Sequence, residues 1–155
     1  MTLLDLPAQF ADVVEEFTAL SEPDRLQLLL EFSRELPDLP ARLAEDRGRM
    51  EPVPECQAPV FLAVEVDGGR VHVFFEAPQE SPTTRGFAGV LREGLDGLAV
   101  EEVLAVPDDV PLRLGLDRAV SPLRLRGMVA MLGRIKRQVR ERSQGRSQDP
   151  AGRPG

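Results

Sequence analysis

One cysteine, one histidine and one lysine occur among 155 residues, and tyrosine and tryptophan are absent. The lone Cys56 excludes an internal disulfide and a zinc site built from cysteines. The lone His72 excludes a cage of several histidines. The only lysine, Lys136, falls in a strongly basic stretch near the C-terminus, and a Schiff-base enzyme needs a desolvated, activated lysine, so pyridoxal chemistry in this chain is not expected. We therefore expect neither a metal nor an organic cofactor in this chain. Without tyrosine or tryptophan the chain lacks a phenolic acid/base and the best stacking platforms for single-stranded nucleic acid. No apolar run approaches the ~20 residues of a membrane-spanning helix, so no membrane partner is expected. Residues 1–5 carry no basic segment and no small-residue cleavage site, which points to a cytoplasmic protein.

What remains is ordinary soluble composition: 42% hydrophobic and 29% charged residues in a length that suits one domain. The charge is unevenly placed. Residues 1–110 carry 8 basic and 23 acidic side chains, whereas residues 111–155 carry 11 basic and 3 acidic, within an overall charge of −7. A basic terminal segment can serve nucleic acid, but the acidic remainder would repel a polyanion. We read it as a helix solvated on one face and attracted to the acidic body of the same chain. No nucleic-acid partner is expected.

Phe10, Val13, Val14, Phe17 and Leu20 recur at helical spacing and predict a helix over 8–19. Ser21-Glu22-Pro23-Asp24 reads as a cap, with the Ser21 hydroxyl accepting amide hydrogens. The following helix, 23–36, turns Leu26, Leu29, Leu30 and Ser33 to one face. Prolines 37, 40, 52 and 54 shape a connector with a short helix at 41–47. Val60, Leu62, Val64 and Val66 alternate with other residues, Asp67-Gly68-Gly69 signals a hairpin turn, and Val71, Val73 and Phe75 return. The two-residue turn is Asp67-Gly68 or Gly68-Gly69; both keep the valine faces matched. A hairpin alone is marginal, so a third strand near 50–53 is expected. Helices at 84–95 and 122–141, with short helical pieces between them, complete an α+β domain over 1–142. In the last helix Leu125, Met128, Val129, Leu132, Ile135 and Val139 form the apolar stripe. Residues 143–155 read as a disordered tail.

Cys56 lies in Val53-Pro54-Glu55-Cys56-Gln57-Ala58-Pro59, a proline-flanked loop before a strand. A single cysteine is commonly a small buried hydrophobe, yet loops on rigid elements are where chemistry concentrates. Glu55 disfavours the thiolate. His72 is the only imidazole that could act as a base toward Cys56. Adjacent carboxylates such as Glu15-Glu16 and Glu101-Glu102 do not face each other on a helix, so they make no acid/base couple.

Four local motifs, in order, resemble the SufE family of sulfur acceptors. Arg25-Leu26-Gln27-Leu28-Leu29-Leu30 with Leu36-Pro37-Asp38-Leu39-Pro40 is similar to the family's second helix and its exit. Val53-Pro54-Glu55-Cys56-Gln57-Ala58-Pro59-Val60-Phe61 resembles the family's active loop, usually Val-x-Gly-Cys-Gln-Ser-x-Val-Trp. Glu80, followed by Arg85-Gly86-Phe87, falls where the family has an acidic residue before a basic-Gly helix start. Val120-Ser121-Pro122-Leu123-Arg124-Leu125-Arg126-Gly127-Met128 resembles the opening of the family's last helix. Glu55, Ala58-Pro59, Phe61 and Leu123 depart from that pattern.

The resemblance implies a small antiparallel sheet of about three strands packed against several helices. It also implies that Cys56 accepts persulfide sulfur from a pyridoxal-phosphate-dependent, SufS-like cysteine desulfurase. That sulfur would pass onward for iron–sulfur cluster assembly, an Fe–S scaffold complex being the candidate recipient. Glu55, Gln57, Glu80, Arg85 and Arg124 are the implied supporting residues, and Val60 and Phe61 the candidate walls of an apolar cavity for the thiol. Such a protein is an activator and carrier rather than a stand-alone enzyme. The competing expectation is a non-catalytic interaction module in which Cys56 is inert packing.

Overall fold

A computed structural model describes residues 5–148, with side chains through 144. Helix α1 (Ala8–Thr18) buries Phe10, Val13, Val14 and Phe17. Helix α2 (Glu22–Glu35) buries Leu29, Phe32 and Ser33, so its inward face is turned toward Phe32 relative to the Leu26/Leu30 face expected. Ser21 is the N-terminal residue flanking α2, but its side chain makes no capping bond. Proline in the first turn removes one of the amide donors that would otherwise need such a cap.

The proline connector carries a short helix α3 (Ala41–Ala44) and a 3₁₀ turn at Arg47–Arg49. Strand β1 is only Glu51–Pro52, followed by β2 (Phe61–Asp67) and β3 (Arg70–Glu76). The sheet is antiparallel in the order β1-β2-β3. Asp67 pairs Arg70, so the turn is Gly68-Gly69, both at positive φ (59° and 79°), as the twist of a tight hairpin requires. Leu62↔Phe75, Val64↔Val73 and Val66↔Val71 form one face, directed into the main core. Phe61, Ala63 and Phe74 on the other face pack with Leu43 and Met50 of the connector in a second, smaller core.

Helix α4 (Pro82–Leu95) crosses α2 at very short range. A Cβ at Gly86 would stand 2.5 Å from the Leu29 carbonyl oxygen, and one at Gly89 2.5 Å from that of Phe32. Glycine is what permits this crossing. Helix α5 (Val100–Ala105) and a 3₁₀ segment at Val110–Leu114 lead to α6 (Pro122–Gln148). Ser121 caps α6 by accepting the Arg124 amide hydrogen at 3.3 Å. Leu125, Met128, Met131, Leu132, Ile135 and Val139 are buried along it; Met131 joins the stripe, and Val129 is only half-buried.

The tail expected from 143 onward begins as helix, since 143–148 continue α6; the remainder of it lies outside the described residues. Part of the basic face of α6 meets the acidic body as expected: Lys136 Nζ donates to Asp108 at 2.8 Å and to the Val106 carbonyl at 2.6 Å. Among the described residues no helix is long and apolar enough to cross a membrane.

Candidate functional site around Cys56

The loop between β1 and β2 is closed at its base by Val53 N–H donating to the Val60 carbonyl at 2.9 Å. Between them Pro54–Cys56 form one 3₁₀ turn, with Cys56 N–H on the Val53 carbonyl (3.1 Å) and Gln57 N–H on the Pro54 carbonyl (3.1 Å). Glu55 therefore sits in right-handed backbone that any residue adopts. The left-handed residue is Gln57, at φ 56° and ψ 24° and without a glycine's freedom. Such a conformation costs on the order of 1 kcal/mol or more, and surrounding structure must hold it. It turns the chain so that Cys56 stays against α6.

Cys56 is half-buried and unpaired. Helix α6 passes beside it at Gly127, where a Cβ would lie 3.0 Å from Sγ. Burial, and next the negative charge of Glu55, push the thiol from its ordinary value of 9.0 up to about 11; Arg134 pulls in the opposite direction. At neutral pH the sulfur is therefore protonated and weakly nucleophilic.

Beside the thiol opens a cleft of about 480 Å³ lined by Cys56, Gln57, Glu80, Thr84, Ser121 and Arg124, with Glu55 at its rim. The sequence thus brought five of its six site residues to one place. The sixth, Arg85, is not among the cleft's lining residues. Its guanidinium donates to the carbonyls of Ser33 (2.9 Å), Ala77 (2.6 Å) and Leu36 (3.2 Å). It thereby caps the C-terminal end of α2 and ties it to the chain leaving β3. The cleft is more polar than expected. Of the two residues expected to wall it, Val60 is buried in the main core and Phe61 packs against the second core on the opposite face of the sheet. Neither lines it, while Leu123 is its large exposed apolar residue. His72 is no partner of Cys56. It pairs Glu65 near the hairpin turn, with Nδ1 3.6 Å from Asp96.

Sequence reading missed Arg134. Its Nη1 lies 3.0 Å from Glu55 Oε1 and its Nε 3.2 Å from Glu51 Oε2, so it bridges the loop and β1. Glu51 is also bonded by Arg137, and it accepts from Gln138 Nε2 at 2.7 Å. Burial alone would raise the Glu51 carboxyl, but these donors outweigh it and hold it below the usual carboxylate value. The Gln138 Oε1 accepts the buried Val64 amide hydrogen at 2.9 Å, capping the β2 edge beyond the short β1. A continuous polar chain therefore joins β2, α6, β1 and the Cys56 loop. The only signal for it in the sequence was Glu55 itself, a carboxylate beside the sole thiol that needs a counter-charge. Among the described residues no group of three or more His, Cys, Asp or Glu is arranged to hold a metal ion.

An α+β domain whose distinctive chemistry is one loop-borne thiol held on the last helix is thus the class defined by fold and site. The chain belongs to the SufE family, whose model, described as an Fe-S metabolism associated domain, matches residues 11–139. It is 56% identical over 137 residues to an uncharacterized SufE-like protein of Mycobacterium tuberculosis, covering 88% of this chain and 94% of that one. It is 30% identical over 129 residues to SufE-like protein 1, chloroplastic/mitochondrial, of Arabidopsis thaliana, covering 83% of this chain and 34% of that longer one. The solution structure of a hypothetical protein from Thermus thermophilus has the same fold, with a TM-score of 0.80 and 40% identity over 90% of this chain and 98% of that one.

Proposed function

We propose that this protein carries sulfur on Cys56, taking it from a pyridoxal-phosphate-dependent cysteine desulfurase in the cytoplasm, stimulating that enzyme, and delivering it for iron–sulfur cluster assembly. The observation that carries the reading is the position of Cys56, the chain's only cysteine, on a strained loop at a polar cleft in a SufE-family domain.

The chemistry follows thiol exchange. The donor is a persulfide on a cysteine of the desulfurase. The Cys56 thiol gives up its proton and its sulfur attacks the terminal sulfur of the donor. A new S–S bond forms at Cys56, and the old one breaks with its electron pair on the desulfurase sulfur, which takes up a proton. One sulfur moves; no external oxidant or reductant is consumed. A thiol held near pKa 11 at rest suits a carrier, because a protonated, half-buried sulfur is slow toward stray oxidants. Docking must then favour the thiolate, by adding positive charge or uncovering the loop. Arg124 lines the same cleft as Cys56 and would meet the arriving sulfur there.

The test is stimulation of sulfide release from L-cysteine by the desulfurase. Cys56→Ser is expected to fold normally and to abolish the stimulation, since a hydroxyl neither ionises near neutral pH nor holds a persulfide. Full stimulation by Cys56→Ser would overturn the proposal and leave an interaction module with an inert cysteine.

A further inference from the structure

Glu55 and Arg134 form the only ion pair between the Cys56 loop and α6 among the described residues, and neither is needed to close the loop. Loop closure is done by backbone bonds at Val53 and Val60. Arg134 is largely buried at 22% side-chain exposure, and its Nε, though near Glu51, makes no hydrogen bond. Glu51 retains Arg137 and Gln138 as partners without it. Glu55 has no other charged partner among the described residues. Losing Arg134 would therefore strand one carboxylate in particular, the one joined through the chain to Cys56.

We infer that Arg134 is a positioning residue for the thiol: it fixes Glu55 against α6 and offsets the carboxylate's charge beside the sulfur, keeping Cys56 able to ionise. The charged groups around the Cys56 loop are Glu55 on the loop itself, Arg134 on α6 with Glu51 of β1 paired to it, and Glu80 and Arg124, which line the same cleft as Cys56. Of the two cations, Arg124 is exposed at the cleft and screened by water, whereas Arg134 acts from a drier position where charge reaches farther. The raising effect of Glu55 and the opposing effect of Arg134 on the thiol agree in sign with this geometry.

The inference rests on Cys56 being the sulfur acceptor for its biological meaning, but its test needs no desulfurase. Alkylation of Cys56 by iodoacetamide, an uncharged reagent, is followed by mass spectrometry from pH 7 to 9.5. Wild type is compared with Arg134→Gln, Arg134→Lys, Glu55→Gln and the double variant Glu55→Gln/Arg134→Gln. Arg134→Gln is expected to react about three- to tenfold more slowly at each pH, a tenfold change corresponding to about one pKa unit in thiolate population. Rising intrinsic nucleophilicity offsets part of this. Arg134→Lys should restore most of the rate, Glu55→Gln should react faster than wild type, and the double variant should stay close to Glu55→Gln, because without the carboxylate Arg134 has little left to offset. A wild-type or faster rate in Arg134→Gln would overturn the inference. So would an equal slowing by Arg134→Gln whether or not Glu55 is present, because Arg134 would then not act through Glu55. If Cys56→Ser still stimulated the desulfurase while this alkylation pattern held, the sulfur-carrier reading would fall and the role of Arg134 would remain.

Discussion

Gly127 lies so close to Cys56 that a Cβ there would stand 3.0 Å from Sγ and 3.3 Å from the cysteine Cα. The loop can yield by a few tenths of an ångström because Glu55 and Gln57 on either side are exposed. Gly127→Ala should therefore trade a crowding cost of about 1 kcal/mol against a similar gain in helix propensity. Its Tm should stay close to wild type while alkylation of Cys56 accelerates, since the thiol is pushed off its seat. Gly133, farther along α6, has open space around its Cα. Gly133→Ala should raise Tm by roughly 2–3 °C, from about 0.5–1 kcal/mol of helix propensity, with Cys56 reactivity unchanged. Unchanged reactivity in Gly127→Ala would mean that the helix does not seat the sulfur.

The raised thiol pKa has a signed consequence for stability. Folding holds the Cys56 proton up to about pH 11, whereas the unfolded chain releases it near 9.0. Below pH 9 both states keep the proton and nothing changes. Between pH 9 and 11 only the folded state keeps it, so stability falls as pH rises. The difference in Tm between wild type and Cys56→Ser should be flat below pH 9 and drift against wild type above it. The alkylation rate should still be climbing beyond pH 9; a plateau there would contradict the burial account.

Arg85 should behave as a structural residue. Lysine cannot reach three carbonyls at once, so Arg85→Lys should cost roughly 1–3 kcal/mol in urea unfolding, the range for lost charged hydrogen bonds. Cys56 should alkylate at the wild-type rate in the folded variant. A large change in that rate with little loss of stability would return Arg85 to the site.

Arg124 should matter to transfer and not to folding. It is exposed at the cleft, and among the described residues its side chain makes no ion pair. Arg124→Ala should leave Tm within about 0.5 kcal/mol equivalent and lower desulfurase stimulation several-fold. Arg126→Ala, exposed on the same helix and outside the cleft, is the control; equal losses in both would point to general charge rather than to the cleft.

The sequence carried the elements wherever apolar spacing was regular. The valine alternation showed the buried face of the hairpin but left its turn open between Asp67-Gly68 and Gly68-Gly69, which the Asp67↔Arg70 pair decides. The stripe from Leu125 to Val139 showed the buried face of α6. What it could not carry was long-range polar pairing. Arg85 read as a site residue because a motif placed it near Glu80, yet its bonds run to α2. Arg134 read as one more arginine on a solvated face, because nothing local reveals that Glu51 and Glu55 lie across from it. Ser21 had the right type for a cap, but the proline after it left less for a hydroxyl to do. Phe32 was overlooked because the leucines around it suggested a slightly different face, and the glycine-permitted crossing of α4 decided which side of α2 is buried.

The central claim is that Cys56 receives sulfur, and the mass of the Cys56 peptide tests it most directly. The protein is incubated with a cysteine desulfurase and L-cysteine under anaerobic conditions, alkylated, digested and weighed. The account predicts a gain of one sulfur atom on Cys56, removed by a reducing agent and absent when L-cysteine is omitted. A Cys56 peptide of unchanged mass, from a desulfurase that itself carries the persulfide and is stimulated by the protein, would contradict it.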